Sequence, residues 1–228
     1  MIGAPDSVLR TILDDGSFRV IAARTTDTVA GTLLAQQVTG ATGRALGELV
    51  TSAVLFRETM APGYRVQGIV RGADGKSTIV ADSHPSGDAR GLVQLARGRT
   101  ELGLGRGALL QLMRSLPNGS LNQGVVEIPP SGDLSSAMMA YMQASEQVTS
   151  LVQVTTVLDG ERVVGAGGFL VQRLPEAGAE ATRQMLDRFT AFGALATEVA
   201  APGFSARSLV ERLLAELSCS ELGEQPIR

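Results

Sequence analysis

The sequence predicts an α+β protein, a sheet-rich core with packed helices followed by a helical region. Three observations carry this. Glycine supplies 27 of 228 residues, above the usual share of about 7%, and it punctuates runs of alternating apolar residues, the pattern of short strands joined by tight turns. Arg44 to Met60 instead repeats its apolar residues with a helical period. After Pro175 the alternation stops and only helical spacing remains.

Taken in order, Asp6 to Leu13 sets Val8, Leu9, Ile12 and Leu13 at helical spacing and ends on Asp14, Asp15 and Gly16, so a short helix and a turn are expected. Phe18 to Arg24 reads as a strand. Thr26 or Asp27 is expected to cap the next helix, whose buried face would be Val29, Leu33, Leu34 and Val38. A glycine-marked turn follows at Gly40 to Gly43. Leu46, Leu49, Val50, Ala53, Val54 and Phe56 then form the stripe of a central buried helix, stopped by Pro62 and Gly63.

Tyr64 to Arg71, the turn Gly72 to Lys76 and Ser77 to Ser83 form a hairpin. Ala89 to Ala96, Ala108 to Arg114 and Leu121 to Ile128 continue as strands, the last two separated by the turn signal Pro117 to Ser120. Asp133 or Ser131 caps a helix through Ala144 that buries Leu134, Ala137, Met138, Tyr141 and Met142. Ser150 to Leu158 and Arg162 to Arg173 pair across Asp159 to Glu161. Gly165, Gly167 and Gly168 in the second strand point to a bulge or a close backbone approach. From Glu176 onward no strand is expected, only helices at Ala179 to Val199 and, after the cap Ser205, to Leu217.

Composition excludes several function classes. A net charge of −3 and an isoelectric point near 5.3 argue against a broad nucleic-acid or anionic-membrane footprint. Cys219 is the one cysteine, so neither an internal disulfide nor a cysteine-built metal site can form within this chain. That fits a reducing cytoplasm. No basic-then-apolar leader and no window of about 18 uninterrupted apolar residues is present, so neither export nor membrane insertion is expected.

Catalytic constellations fail one by one. Gly72 to Ser77 resembles part of a phosphate loop, but Val70 stands where the first glycine should be, and the setting is strand, turn, strand. Gly103 to Gly107 lacks the βαβ context of a dinucleotide fingerprint. His84 is read as an exposed turn histidine, Asp14, Asp15 and Glu101 as solvated loop carboxylates, and Cys219 as an ordinary thiol. The stripes Met185, Leu186, Phe189, Phe192, Leu195 and Leu209, Val210, Leu213, Leu214, Leu217 either dock on the core or form a binding patch.

Three motifs carry a resemblance. Tyr141 to Gln147, YMQASEQ, looks like the YFxxSEQ signature of the heat shock protein 33 family, with Met142 in place of Phe, a volume-conserving swap. Ala166 to Pro175, AGGFLVQRLP, is similar to that family's AGGxxxQxLP segment, and Gln123 to Ile128 to its QGxV strand. The order of Phe18 to Arg24, Gly47 to Leu55, Tyr64 to Arg71 and Arg90 to Val93 is family-like too. The resemblance runs from Ser7 to Leu217, and its signature residues here are Tyr141, Ser145, Glu146, Gln147, Gly167, Gly168, Gln172 and Pro175.

What the resemblance implies is an ATP-independent, redox-regulated holdase chaperone, not an enzyme, that binds unfolded or partly folded proteins under oxidative and heat stress. Residues 1–175 would be its core and 176–228 its helical linker. Full-length members add a zinc domain with four cysteines, which on oxidation releases zinc and lets the linker unfold. This sequence carries no such cysteines and ends at Arg228, so a fragment is expected, without its own zinc or other cofactor, and unlocked because metal and fold are normally coupled in such a module. Met185, Leu186, Phe189, Phe192, Leu209, Leu213 and Leu214 would touch clients. A homodimer, with or without exchanged helices, stays open. The competing readings are a small-ligand or anion-binding enzyme built around Gly103 to Gly107, and an interaction module with one partner.

Overall fold

Two five-stranded antiparallel sheets clamp one helix between them. The computed structural model describes residues 3–115 and 119–228. Its elements are β1 (Ser7–Leu13), β2 (Phe18–Arg24), α1 (Thr26–Gln36), α2 (Gly40–Glu58), β3 (Arg65–Arg71), β4 (Thr78–Ser83), β5 (Ala89–Gln94), β6 (Leu109–Ser115) and β7 (Leu121–Glu127). There follow α3 (Leu134–Tyr141) running into a π-helical turn at Met142–Glu146, β8 (Ser150–Asp159), β9 (Arg162–Arg173), α4 (Ala179–Ala191), α5 (Leu195–Val199), α6 (Ala206–Leu214) and β10 (Cys219–Pro226). The first sheet runs β10-β1-β2-β9-β8 and the second β5-β4-β3-β6-β7.

The α+β architecture is as expected, and its layers follow from burial. Helix α2 packs on both sheets, so its apolar stripe extends round the helix: Leu46, Leu49, Val50, Ala53, Val54, Leu55 and Phe56 are all buried. The second sheet receives it along a register row that is glycine and alanine at every position but Leu112, Gly91–Ala81–Gly68–Leu112–Gly124. A β-carbon on Gly91 would stand 2.8 Å from Leu46 Cδ1, and one on Gly68 3.1 Å from Leu49 Cδ1. The helix therefore sits closer to the sheet than side chains at those positions would allow.

Several expectations are corrected. Ser7–Leu13 is a strand, not a helix, because the first sheet is covered on both faces: Val8 points to the α2 side while Leu9 and Leu13 point to α4–α6. An apolar run that fills both faces of a strand loses its alternation and mimics a helix. Neither Thr26 nor Asp27 caps α1. Thr25 is the N-cap residue but its side chain makes no capping bond, its hydroxyl meeting Thr51 Oγ1 instead, and the carboxylate of Asp6 accepts the Thr28 N–H at 2.7 Å. Thr26 exchanges bonds with Ala166 of β9, and Leu34 is 82% exposed rather than buried. The turn expected at Gly40 to Gly43 is the first turn of α2.

The last corrections concern the end of the chain. Ala179 to Val199 is two helices, broken where Gly193 takes φ +79° after the end of α4, a left-handed stop that glycine reaches without steric cost. Cys219–Pro226, expected to have no strand, pairs with β1 from Ser7↔Pro226 to Leu13↔Cys219. It is mostly exposed, so no apolar alternation announces it. Its glutamates and terminal proline suit a sheet edge. Beyond it Ile227 N–H donates to the Asp6 carbonyl, while Arg228 exchanges backbone bonds with Gly87 and Ala89 beside the second sheet.

The remaining elements stand where the sequence places them, including the capping box of Ser205 and Ser208 on α6 and the Asp133 cap of α3. Within the Pro117 to Ser120 turn, Pro117 and Asn118 lie outside the described residues.

Candidate functional site

Three surfaces compete for a functional role. On the first, α4–α6 cover the outer face of the first sheet, and the stripes expected to touch clients are the seal. Met185, Phe192, Leu209, Leu213 and Leu214 are buried, Phe189 is partly buried, and Leu186 alone of the seven is well exposed. Phe169 of β9 anchors the seal edge-on to Phe189 at 6.0 Å and Phe192 at 5.0 Å between centroids. The Arg212 guanidinium lies over the Phe192 ring at 5.3 Å. Gly165 and Gly167 let α5 and Phe204 approach the strand backbone: a β-carbon on Gly167 would lie 2.6 Å from Phe204 Cζ.

The second surface is the face of the second sheet turned away from α2. Among the described residues, the main helix contacts on this sheet come from α1, α2 and α3, and they meet its inner row, Thr32 and Leu46 at Gly91 and Tyr141 at Gly124. Strand register lines up Leu92, Val80, Ile69, Gln111 and Val125 across all five strands of the outer face. Leu92 and Val125 are 51% and 52% exposed. One flanking row holds Asp82, on which Arg65 closes a two-pronged pair at 2.6 and 2.7 Å, joined by Arg90 at 3.2 Å. Burial works to raise the Asp82 carboxyl, but the two guanidiniums outweigh it and hold the group below its usual value. The other flanking row exposes Leu109.

The third is the signature region. Tyr141 is buried edge-on against Phe56 of α2, with centroids 5.4 Å apart and planes at 87°. Its hydroxyl is pushed up to about 12, first by burial and then by the neighbouring Glu146 charge. Gly124 of β7 leaves room for Tyr141 and Ser145: a β-carbon there would stand 2.9 Å from Tyr141 Cε2 and still closer to Ser145 Oγ. Glu146 pairs with Arg114 of β6 at 2.6 Å, and Gln147 ends the π-helical turn with φ 57°. Gly168 lies against the backbone of Gln153 and Val154. Gln172 accepts from Arg19, and Pro175 lines a cleft with Arg19, Gln147 and Gln172. These residues join the two sheets and α2.

Residues weighed for catalysis stay apart. His84 Nδ1 meets Ser86 Oγ at 2.9 Å, and that same hydroxyl donates to Asp88 at 2.5 Å. The serine therefore sits between base and acid, the wrong order for activating it. Asp74 holds the Gly72–Lys76 turn by accepting from Lys76 N–H, Ser77 N–H and Ser77 Oγ, so that turn is a hairpin as expected. In the Gly103 to Gly107 loop, Gly107 N–H already donates to Glu127 at 3.0 Å. Asp15 accepts from Ser17, and Asp14 from Ser220. Burial, with Asp14 and Glu221 nearby, pushes the exposed Cys219 thiol up, away from thiolate chemistry.

The model of the family described as "Hsp33 protein" matches residues 6–228. The chain belongs to the Hsp33 family. The Hsp33 relatives include the 33 kDa chaperonin of Geobacillus sp. (strain WCH70), 26% identical over 97% of this chain and 78% of that protein. They also include a 33 kDa chaperonin of Thermus thermophilus, 32% identical over 81% of this chain and 56% of that one. The crystal structure of the 33 kDa chaperonin (heat shock protein 33 homolog) from Thermotoga maritima shares the fold, with a TM-score of 0.84 at 17% identity over 99% of this chain and 80% of that one.

Membership makes this a chaperone-family protein. It also raises a zinc question, because the resemblance implies a four-thiolate centre. The residues present do not fit one: Cys219 is the single cysteine, and among the described residues no three of His, Cys, Asp and Glu gather closely enough to hold a metal. Among the described residues, no helix of this Hsp33 chain is long and apolar enough to cross a membrane.

Proposed function

We propose that the chain is an ATP-independent holdase whose client surface is the outer face of the second sheet. The observation that carries this is the uncovered row Leu92–Val80–Ile69–Gln111–Val125. A largely apolar strip, interrupted by Gln111 and flanked by charge, is what a soluble protein exposes when it binds other chains. An unfolding protein offers apolar side chains without fixed order, and a flat strip accepts them without demanding one shape. The α4–α6 stripe is spent on the first sheet in this conformation, so it adds to binding only when those helices lift. The 33 kDa chaperonin name of the relatives supports the same reading. Lacking four thiolates, the chain would hold clients alike with and without reductant.

Light scattering from a heat-unfolded client tests this. Suppression at equimolar chain or modest excess, without ATP and unaffected by reductant, is expected. Unchanged scattering overturns the proposal.

A further inference from the structure

Arg228 lies beside the start of β5, its N–H donating to the Gly87 carbonyl at 3.0 Å and its carbonyl accepting from the Ala89 N–H at 2.9 Å. Bonds to the residues on either side of Asp88 are those of a parallel strand pair. The pairing of β5 with β4 turns every second backbone group inward, so Ala89, Gly91 and Val93 present theirs to the free edge of the second sheet. Ala89 is met by Arg228, and Val93 N–H by the side-chain oxygen of Gln36 at 3.1 Å. Between them, among the described residues, Gly91 N–H has no partner.

That edge opens into a cleft of about 680 Å³ between β5 and α1, lined among others by Gly31, Thr32, Ala35, Gln36, Gly91 and Arg228. Its α1 wall is low. Gly31 and Ala35 are exposed, and a β-carbon on Gly31 would meet nothing within 4 Å. A strand added along this edge would alternate its side chains between the two faces of the sheet. Those beside Leu92 extend the outer row Leu92–Val80–Ile69–Gln111–Val125, and those beside Gly91 and Val93 drop toward α1.

We propose that an unfolding client is held as an extended segment that pairs with the free edge of β5, bonding to Gly91 and displacing Gln36 from Val93. This rests on the holdase reading and names the form in which the client is taken. Backbone bonds are the same whatever the client's sequence, while continuity with the outer row selects an apolar residue at every second position. The client class is therefore β-prone segments that have lost their own partner strands, not exposed helices.

Amide hydrogen exchange read by NMR in the intact chain tests this, with an unlabelled, end-capped hexapeptide of alternating valine and threonine as the probe. At saturating peptide the Gly91 amide should exchange about tenfold more slowly than in the free chain, or slower still. A peptide N-methylated at two adjacent central residues, which spoils both of its edges, should bind about tenfold more weakly, and Gln36→Ala should bind the unmethylated peptide about threefold more tightly. Gly91 exchange unchanged by peptide, protection on β7 instead, equal affinity for the methylated peptide, or no gain in Gln36→Ala overturns the proposal. So does Gly91 protection that rises with chain concentration in the absence of peptide, which assigns the edge to a second copy. Light scattering on the same samples separates the two readings: aggregation suppressed without Gly91 protection leaves the holdase standing and removes the edge, and Gly91 protection without suppression does the reverse.

Discussion

The carbonyl oxygen of Val199 fills the space that a β-carbon on Gly165 would need. This contact seats the end of α5 directly on the backbone of β9, at the rim of the apolar layer formed by Met185, Phe192, Leu209 and Leu213. The layer is therefore closed by a backbone-to-backbone fit that tolerates no side chain.

Gly165→Ala accordingly pushes α5 away. The backbone of Gly165 is ordinary extended strand, so the cost is overpacking alone, about 1–3 kcal/mol. The expected result is a lower melting temperature, faster proteolysis between residues 176 and 217, and increased binding of an apolar dye. If client binding rises with the dye signal, the lifted helices add surface. If binding stays constant, the sheet face suffices.

The sheet face itself is tested at its two ends. Leu92→Asp and Val125→Asp place charge on exposed side chains of β5 and β7, so stability should change by no more than about 0.5 kcal/mol. Suppression of client aggregation should fall in each and further in the pair. Full suppression by the double variant would remove the outer face from the account.

Much of this was legible in the sequence, and the failures share a cause. The hairpins, α2 and the signature helix follow from periodicity because each has one distinct buried face, or in α2 a strong stripe. Strand β1 failed because both its faces are buried, and β10 because neither is. The client stripe on α4–α6 was seen as a stripe, but an amphipathic helix has the same sequence whether docked or free. Leu92, Val80, Ile69 and Val125 were missed because they occupy the outward phase of four separate strands. Only register brings them together.

Glu48 on α2 gives the fold a pH dependence. Burial raises its carboxyl to about 7 from an ordinary 4.5, Asp133 adds to the rise, and Arg44 and the Thr156 backbone N–H oppose it. The folded state thus prefers the protonated acid. Its contribution is fully present below about pH 4.5 and is lost as pH rises through about 7. Because the side chain is partly exposed, the loss should be about 1–3 kcal/mol. Glu48→Gln should therefore gain on the parent between pH 5 and pH 8 in denaturant unfolding, and parallel curves would show that Glu48 is not the group responsible.

Gly124 tests how the signature helix is held. With an alanine there, the new methyl group meets Ser145 Oγ and, 2.9 Å away, Tyr141 Cε2, so Gly124→Ala should cost about 1–3 kcal/mol despite the better strand propensity of alanine. Ser145→Ala removes the closer obstacle and leaves the ring. The double variant should then be more stable than the sum of the two single changes allows, with a coupling of about 0.5–3 kcal/mol. A purely additive pair would mean that the π-helical turn shifts as a unit to admit the methyl group. In that case the Arg114–Glu146 pair, 2.6 Å long in this structure, would be expected to break with it, and Glu146→Gln would have no further effect in the Gly124→Ala background.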